Sequence, residues 1–182
     1  MNLIEALKSV RDRRTKPKYP QWIVLLLVIM ATMSGRYGYR PLARFVHRHQ
    51  QAVLDYLELP HDRLPSLSTL RRVMIHLDFE ALTEAFNQWA LSQEREWKEK
   101  EPRLLATDGK ALKASVRGYN QSYQDFAVTV SMYCVETGQV EALANFRHKE
   151  MSEITVVQQL LEQLQLTGVC ISLDALHAQK KQ

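Results

Sequence analysis

Two apolar runs that each lead to a single aspartate constrain the fold of this 182-residue chain more than any other feature. The first run covers 104–110 and contains Asp108, and the second covers 168–177 and contains Asp174. Each run is typical of a buried strand, and each aspartate stands where the strand is predicted to end. Ligands gather at strand ends in open α/β sheets, and Mg²⁺ prefers carboxylate oxygens. The two runs therefore predict a divalent-metal site.

The second half of the chain has the pattern strand, strand, strand, helix, strand. The strands are predicted at 104–108, 126–135, 139–146 and 168–174, and Gly138 is predicted in a hairpin turn between the second and the third. A helix is predicted from about 152 to 165, with Ser152 as its cap.

The first hundred residues are predicted to be helical. The apolar segment 21–34 is predicted to end at Gly35, a suitable left-handed cap, and a short helix at about 2–10 precedes it. Pro41 suits the first turn of one further helix that continues to Leu57.

Two more helices are predicted before the pattern changes. Ser66 or Ser68 is a candidate cap for a short helix, and Asp78 for a longer one. The charged stretch 94–102, which ends in proline, is the predicted boundary between a domain at 1–100 and a domain at 101–182.

Positive charge is concentrated near the amino terminus. Residues 1–50 carry ten Lys and Arg against two Asp and Glu, whereas residues 101–182 carry eight against nine. This asymmetry favours a polyanionic partner, either nucleic acid or an anionic membrane, and a basic surface that serves solubility is the alternative.

The most apolar run, 22–33, has twelve residues, whereas a membrane-spanning helix needs about twenty. We therefore predict a buried core helix, no membrane partner and no signal peptide. The two cysteines, Cys134 and Cys170, are far apart in the sequence and form no metal signature. They are predicted to be buried free thiols, as is typical of a cytoplasmic protein.

The order of strands, with its two aspartates, resembles the catalytic core of DDE transposases, which share the ribonuclease-H-like fold. The whole chain more closely resembles the amino-terminal portion of insertion-sequence transposases of the H-repeat-associated type. Family motifs are matched by Gly35 to Arg40, Pro65 to Arg72, Asp108-Gly109-Lys110, Glu153-Ile154 and Asp174 to Lys180. Glu150-Met151-Ser152 departs from the family's usual Lys-Ser-Asn at that place.

The resemblance implies an α+β chain in which a helical DNA-binding domain precedes a partial ribonuclease-H-like catalytic domain. Asp108 and Asp174 would be the first two catalytic acidic residues and would hold two Mg²⁺ or Mn²⁺ ions. Water would be the nucleophile for strand cleavage, and a DNA 3′-hydroxyl for strand transfer. The family's third acidic residue, a glutamate, would lie beyond Gln182, so we expect a truncated transposase that is inactive by itself.

The resemblance and the charge distribution together predict double-stranded DNA, at the element ends, as the partner. Lys and Arg contacts to phosphates supply most nonspecific affinity for DNA. The predicted contacts come from a basic cluster, a short helix and the position after Asp108: Arg11, Arg13, Arg14, Lys16, Lys18, Arg71, Arg72 and Lys110.

Several alternatives remain open on the sequence alone. Asp108 could be a turn residue, because Asp-Gly is a common turn dipeptide. Lys110 could be merely solvated, and His177 could lie on the surface. One arginine of the Arg71 and Arg72 pair could pack against Asp78 or Glu80. His47 and His49 indicate a solvated helix face rather than a metal site.

Two other functions compete with the enzyme. A non-catalytic DNA-binding protein could inhibit a full-length transposase by occupying element ends or by pairing with the full-length protein. The chain could also form a homo-oligomer. A decayed remnant without activity is the third hypothesis.

Overall fold

The computed structural model describes residues 1–93, 103–117, 125–164 and 168–173. The chain divides into two compact units, Met1–Ala85 and Phe86–Gln182, which we call the helical unit and the sheet unit. The prediction of an α+β protein is confirmed. The boundary predicted at 94–102 lies outside the described residues, and the division into 1–100 and 101–182 stays a prediction.

The helices before the sheet begin and end at residues with identifiable caps. Asn2 and Glu5 form a reciprocal capping box at the first helix. Gly35 follows the second with φ +72°, as predicted for a left-handed cap. Asp78 accepts a hydrogen bond from the Ala81 N–H at 3.1 Å at the start of the last. The helices are α1 (Leu3–Ser9), α2 (Gln21–Met33), α3 (Tyr39–Arg48), α4 (Gln50–Tyr56), α5 (Leu67–Ile75) and α6 (Phe79–Ser92).

Two helix predictions need correction. The single helix predicted from Pro41 to Leu57 is divided at His49, whose φ of −101° and ψ of 12° separate α3 from α4. Both helices contribute side chains to one core, Leu42 and Val46 from α3 and Val53 and Leu54 from α4. Ser66 is the cap residue of α5, but its hydroxyl lies against the Ser68 hydroxyl at 3.0 Å and makes no capping hydrogen bond.

The core of the helical unit is built around α2. Val24 and Leu27 of α2 are fully buried, and they cluster with Leu42 and Val46 of α3 and with Leu70 of α5. Burial of such side chains stabilises each by about 1.5–3 kcal/mol relative to exposure. None of the helices in the described ranges is long and apolar enough to cross a membrane.

The sheet unit contains four described strands in the order β3-β2-β1-β4. The first three pair antiparallel, and β4 pairs parallel with β1. The predicted hairpin turn is confirmed, with Gly138 at φ +70°. The Leu104 N–H donates to Glu136 at 2.8 Å, which ties the turn to β1 and lowers the pKa of that carboxyl. The strands are β1 (Arg103–Arg117), β2 (Asp125–Cys134), β3 (Gln139–Arg147) and β4 (Val169–Ser172).

Helix α7 (Glu153–Leu164) connects β3 to β4 and packs on one face of the sheet. The Ser152 hydroxyl accepts from the Thr155 N–H at 3.2 Å, as predicted for its cap. Val156, Val157 and Leu160 of α7 are buried against alternate residues of the strands. The structure therefore has a sheet with one face covered by α7.

Two predictions about the strands were wrong. Asp108 does not end β1, because the antiparallel partner β2 continues to supply pairing up to Leu112 opposite Ala127. Cys170 is exposed, because it alternates with Val169 and Ile171, which take the α7 face. Cys134 is buried as expected.

The loop before α2 is organised by Asp12, and this predicts a pH dependence. The Arg14 guanidinium beside Asp12, at 2.8–2.9 Å, lowers the pKa of that carboxyl. A lowered folded pKa gives stability that is present above the unfolded value, near 3.9, and lost as the pH falls through the folded value. We expect Asp12→Asn to reduce the free energy of unfolding by about 1.5–3 kcal/mol at pH 7. The difference should shrink below about pH 4 in urea titrations.

Asp62→Asn is the control, because Asp62 is exposed and makes no hydrogen bond or ion pair within the part of the chain described above. This variant should match the wild type at both pH values. A destabilisation by Asp12→Asn that stays constant from pH 7 to pH 3 would contradict the role of its charge.

Candidate active site and nucleic-acid interface

Asp108 lies in the interior strand β1, on the face of the sheet opposite α7. Its partner across the ladder is Ser131 of β2, whose hydroxyl donates to the Asp108 carbonyl oxygen at 3.5 Å. The Asp108 side chain is exposed, and so is that of Lys110, two residues further along the same face. Within the described ranges the Asp108 carboxylate makes no hydrogen bond or ion pair, so its oxygens are available to a ligand.

The strand neighbouring Asp108 on its other side is β4, and the described part of β4 stops short of Asp108. Its parallel pairing with β1 runs from Arg103 opposite Val169 to Ala106 opposite Ser172. Asp108 therefore remains at the end of the parallel pairing, although β1 itself continues. Asp174 and His177 lie outside the described residues.

Glu153 approaches the residue next to Asp108 from the other face of the sheet. It is the first residue of α7, and a Cβ atom added to Gly109 would overlap its carboxyl group. Gly109 thus leaves room for the Glu153 carboxylate against β1. Because successive strand residues face opposite sides, Glu153 and Asp108 are on different faces. Only the three-dimensional packing of α7 shows the contact between Glu153 and Gly109, because the two residues are 44 positions apart in the sequence.

The described side chains do not assemble a complete metal site. Within residues 1–93, 103–117, 125–164 and 168–173, no three His, Cys, Asp or Glu side chains are placed to hold a metal ion together. Asp108 is the one predicted metal ligand within those ranges.

The predicted basic residues of the helical unit form a concave surface. A cleft of about 350 Å³ lies between the loop at 14–19 and helix α5. Lys16 and Lys18 line it from the loop, and Arg72 and Thr69 line it from α5. Among the described residues, no carboxylate lines this cleft, which we call the loop–α5 cleft. The structure therefore brings together basic residues that are more than fifty positions apart.

The other predicted cations have different surroundings. Arg14 also lines the loop–α5 cleft, but it is half-buried and donates to Asp12 and to the Tyr19 carbonyl oxygen, so it holds the loop in place. Arg13 pairs with Asp78 at 2.6 Å, although its side chain is 70% exposed. Arg11 and Arg71 are exposed and do not line the loop–α5 cleft.

A second basic cleft was not predicted from the sequence. It has a volume of about 370 Å³ and is lined by Arg36, Arg44, Arg48 and four neighbours from the end of α2 to the end of α3. We call it the α3 cleft. The four-residue spacing of arginines at 36, 40, 44 and 48 is the signal that could have revealed it.

Comparison with known proteins identifies the relatives of this chain. Residues 4–90 match the family DDE_Tnp_1-associated. The "H repeat-associated putative transposase YbfD" of Escherichia coli K12 is 26% identical over 98% of this chain and 68% of its own length. The "H repeat-associated putative transposase YhhI" of the same strain is also 26% identical, over 98% of this chain and 46% of its own length. An uncharacterized protein of Xanthobacter autotrophicus is 29% identical over 86% of this chain and 51% of its own length.

The contact at Gly109 yields a prediction for two glycine substitutions. Gly109→Ala places a methyl group against the end of the flexible Glu153 side chain, which can rotate away. We expect a loss of less than about 1 kcal/mol in the free energy of unfolding. Gly138→Ala is the comparison, because its φ of +70° is unfavourable for alanine by about 1–2 kcal/mol.

Urea titration of both variants, with and without Glu153→Ala, checks this expectation. In the Glu153→Ala background, the methyl group added by Gly109→Ala no longer meets a carboxyl group, so this substitution should not lower the free energy of unfolding. The assigned contact would be contradicted if Gly109→Ala lowered the free energy of unfolding as much as Gly138→Ala does, and did so also in the Glu153→Ala background.

Proposed function

Because residues 4–90 belong to the DDE_Tnp_1-associated family and the chain is a relative of the H-repeat-associated transposases, we propose that it serves DNA strand cleavage and strand transfer in the transposition of an insertion sequence. The observation that carries the proposal is the exposed Asp108 carboxylate on the interior strand β1, at the end of the parallel pairing with β4. Strand ends beside a parallel pairing are where ligands bind in open sheets.

The topology of the sheet supports a ribonuclease-H-like core. An antiparallel β1-β2-β3 meander is followed by a helix and by a strand that returns beside β1 in the parallel sense. This connection puts the end of β4 next to Ala106, two residues before Asp108 in β1.

The register of the parallel pair supports Asp174 as the second acidic residue. Ala106 is paired with Ser172, and Asp108 and Asp174 each come two residues later in their segments. A continued register would make the two aspartates neighbours on one face, because side chains two residues apart in a strand share a face.

The donor chemistry of Asp108 fits a divalent cation. Carboxylate oxygens are preferred ligands of Mg²⁺, and the Asp108 carboxylate is exposed without an ion pair in the described ranges. We propose that Asp108 and Asp174 would hold Mg²⁺ or Mn²⁺. When bound, the metal would lower the pKa of a water and stabilise the leaving oxygen. Lys110, on the Asp108 face, would bind a phosphate oxygen of the DNA and position the backbone beside that carboxylate.

We further propose that duplex DNA binds the loop–α5 cleft. Lys16, Lys18 and Arg72 supply the positive charge. No carboxylate from the described part of the chain lines the cleft, so this charge is available to phosphates. Arg14 also lines the cleft, and its hydrogen bonds to Asp12 and Tyr19 fix the loop that carries the two lysines.

A second candidate function is DNA binding without cleavage. The specific observation in its favour is that the loop–α5 cleft lies entirely within the helical unit and does not involve Asp108. A chain with this activity alone would compete with a transposase for element ends, or pair with it. Separate measurements of metal binding, cleavage and DNA binding distinguish the two functions.

The first test concerns Asp108. We expect the wild-type chain to bind Mn²⁺, as followed by the electron paramagnetic resonance signal of the free ion. Asp108→Asn should weaken binding by more than about tenfold, because loss of even an outer-shell partner weakens metal sites by 10–100-fold. Mn²⁺-dependent nicking of duplex DNA, wherever the wild-type chain shows it, should disappear with the same substitution.

Glu162→Gln is the matched control, because Glu162 is an exposed carboxylate of the same unit, on α7. It should leave both Mn²⁺ binding and nicking unchanged. Equal Mn²⁺ affinity for Asp108→Asn and wild type would refute the metal assignment. Metal binding and DNA binding without nicking would favour the second candidate function.

The second test concerns the loop–α5 cleft. Lys18→Gln with Arg72→Gln removes one exposed cation from each side of the cleft. The slope of log affinity for duplex DNA against log salt should become shallower by about 1.8, at roughly 0.9 per lost phosphate contact. Lys8→Gln with Arg63→Gln removes the same charge at exposed positions that line neither cleft, and it should keep the wild-type slope. Identical slopes for the two double variants would exclude this cleft from the interface.

A further inference from the structure

The α3 cleft is a second cationic surface of the helical unit, distinct from the loop–α5 cleft. Three of its lining residues are arginines, Arg36, Arg44 and Arg48, and the others are Ser34, Pro41, Phe45 and His49. No carboxylate is among them. The three arginines are exposed, and none of them has an ion-pair partner in the residues described for this structure.

The surrounding sequence provides nothing that would neutralise this charge. Residues 13–54 contain eight Lys and Arg and no Asp or Glu. The first carboxylate after this segment, Asp55, accepts a hydrogen bond from the Gln51 amide at 2.8 Å. Arginines spaced four residues apart on a helix also repel one another. The folded chain therefore holds several unneutralised positive charges together, and a polyanion would relieve their repulsion.

We infer that the α3 cleft binds the phosphodiester backbone of duplex DNA, as a contact separate from the loop–α5 cleft. Arg44 and Arg48 are four residues apart on α3, so they are about 6 Å apart along the helix axis. Adjacent phosphates on one DNA strand advance by about 3.4 Å along the duplex axis and are also displaced around it, so the distance between them is several ångströms. Two phosphates of one strand can thus meet the two guanidinium groups at once, and Arg36 can meet a neighbouring phosphate.

The shape of the site favours DNA over a lipid surface. A concave cleft can accept the projecting ridge of a nucleic-acid backbone, whereas a membrane surface is flat on this scale. The ring of Phe45 is half-buried and lies 4.5 Å from the His49 ring, so it is not presented for insertion among lipid chains. This inference rests on the proposed function, because it assumes that the partner of the helical unit is duplex DNA.

The test measures the salt dependence of duplex DNA binding by fluorescence anisotropy with the full chain. Arg44→Gln with Arg48→Gln should make the slope of log affinity against log salt shallower by about 1.8. Arg44→Lys with Arg48→Lys keeps the charge and should keep the wild-type slope. The control Lys8→Gln with Arg63→Gln removes two exposed charges elsewhere and should also keep it.

A further variant guards against loss of folding. Arg36 lies between α2 and α3 and is exposed, so Arg36→Gln leaves both helices and the core intact. It should reduce the slope by about 0.9, with an unchanged circular dichroism spectrum. Wild-type slopes for both Arg36→Gln and the Arg44 and Arg48 glutamine variant would overturn the inference.

Two other probes identify the polyanion. If the wild type and the lysine variant bind phosphatidylserine vesicles or duplex RNA, the glutamine variants should bind them with the same affinity. Loss of vesicle binding or of RNA binding, with the DNA slope unchanged, would overturn the choice of DNA. Failure of the proposed function is a different result: the wild-type chain itself would then show no salt-dependent affinity for duplex DNA.

Discussion

The parallel pairing of β4 with β1 is the constraint on which the sheet unit depends. It is only four residue pairs long, yet it requires α7 to cross the sheet between β3 and β4. That crossing covers one face with Val156, Val157 and Leu160 and leaves Asp108 on the other face. The same crossing brings Glu153, the first residue of α7, against Gly109. A Cβ atom there would occupy the space of the Glu153 carboxyl group, so glycine allows this side chain to lie against β1 without rotating away. The apolar residues of the strands pack against α7, and Asp108 is therefore exposed on the opposite face, which is the proposed catalytic face.

The features that the sequence predicts correctly are those decided within a few residues. The capping hydrogen bonds of Asp78 and Ser152 and the left-handed conformation of Gly35 and Gly138 each depend on three or four neighbouring positions. Apolar periodicity likewise predicts α2 and α7, since one face of each helix must be buried. The resemblance to H-repeat-associated transposases also follows from short local motifs, and the relatives of the chain confirm it.

The features that the sequence does not predict depend on partners that are distant along the chain. Asp108 is followed by glycine and looks like the end of a strand, but β2 supplies hydrogen-bonding partners beyond it. The break at His49 separates two helices that share one core, and no glycine or proline marks it. Cys170 is apolar in its local context, yet the register with β1 turns it away from α7. In each case tertiary pairing, rather than local propensity, decides the outcome.

The arginines of the helical unit separate into two groups by their partners, and this separation bears on function. Arg14 is held between Asp12 and the Tyr19 carbonyl oxygen, where removal would leave polar groups of the loop unpaired. Arg44 and Arg48 have no such partners in the described ranges, and their charges repel each other along α3. A cation with an internal partner contributes to the fold, whereas unpaired cations around a cleft contribute an electrostatic field that acts on whatever approaches it. A count of charges along the sequence cannot distinguish these groups, because Arg14 and Arg44 each contribute one positive charge. Only their surroundings show that Arg14 stabilises a loop, whereas Arg44 presents its charge to solvent.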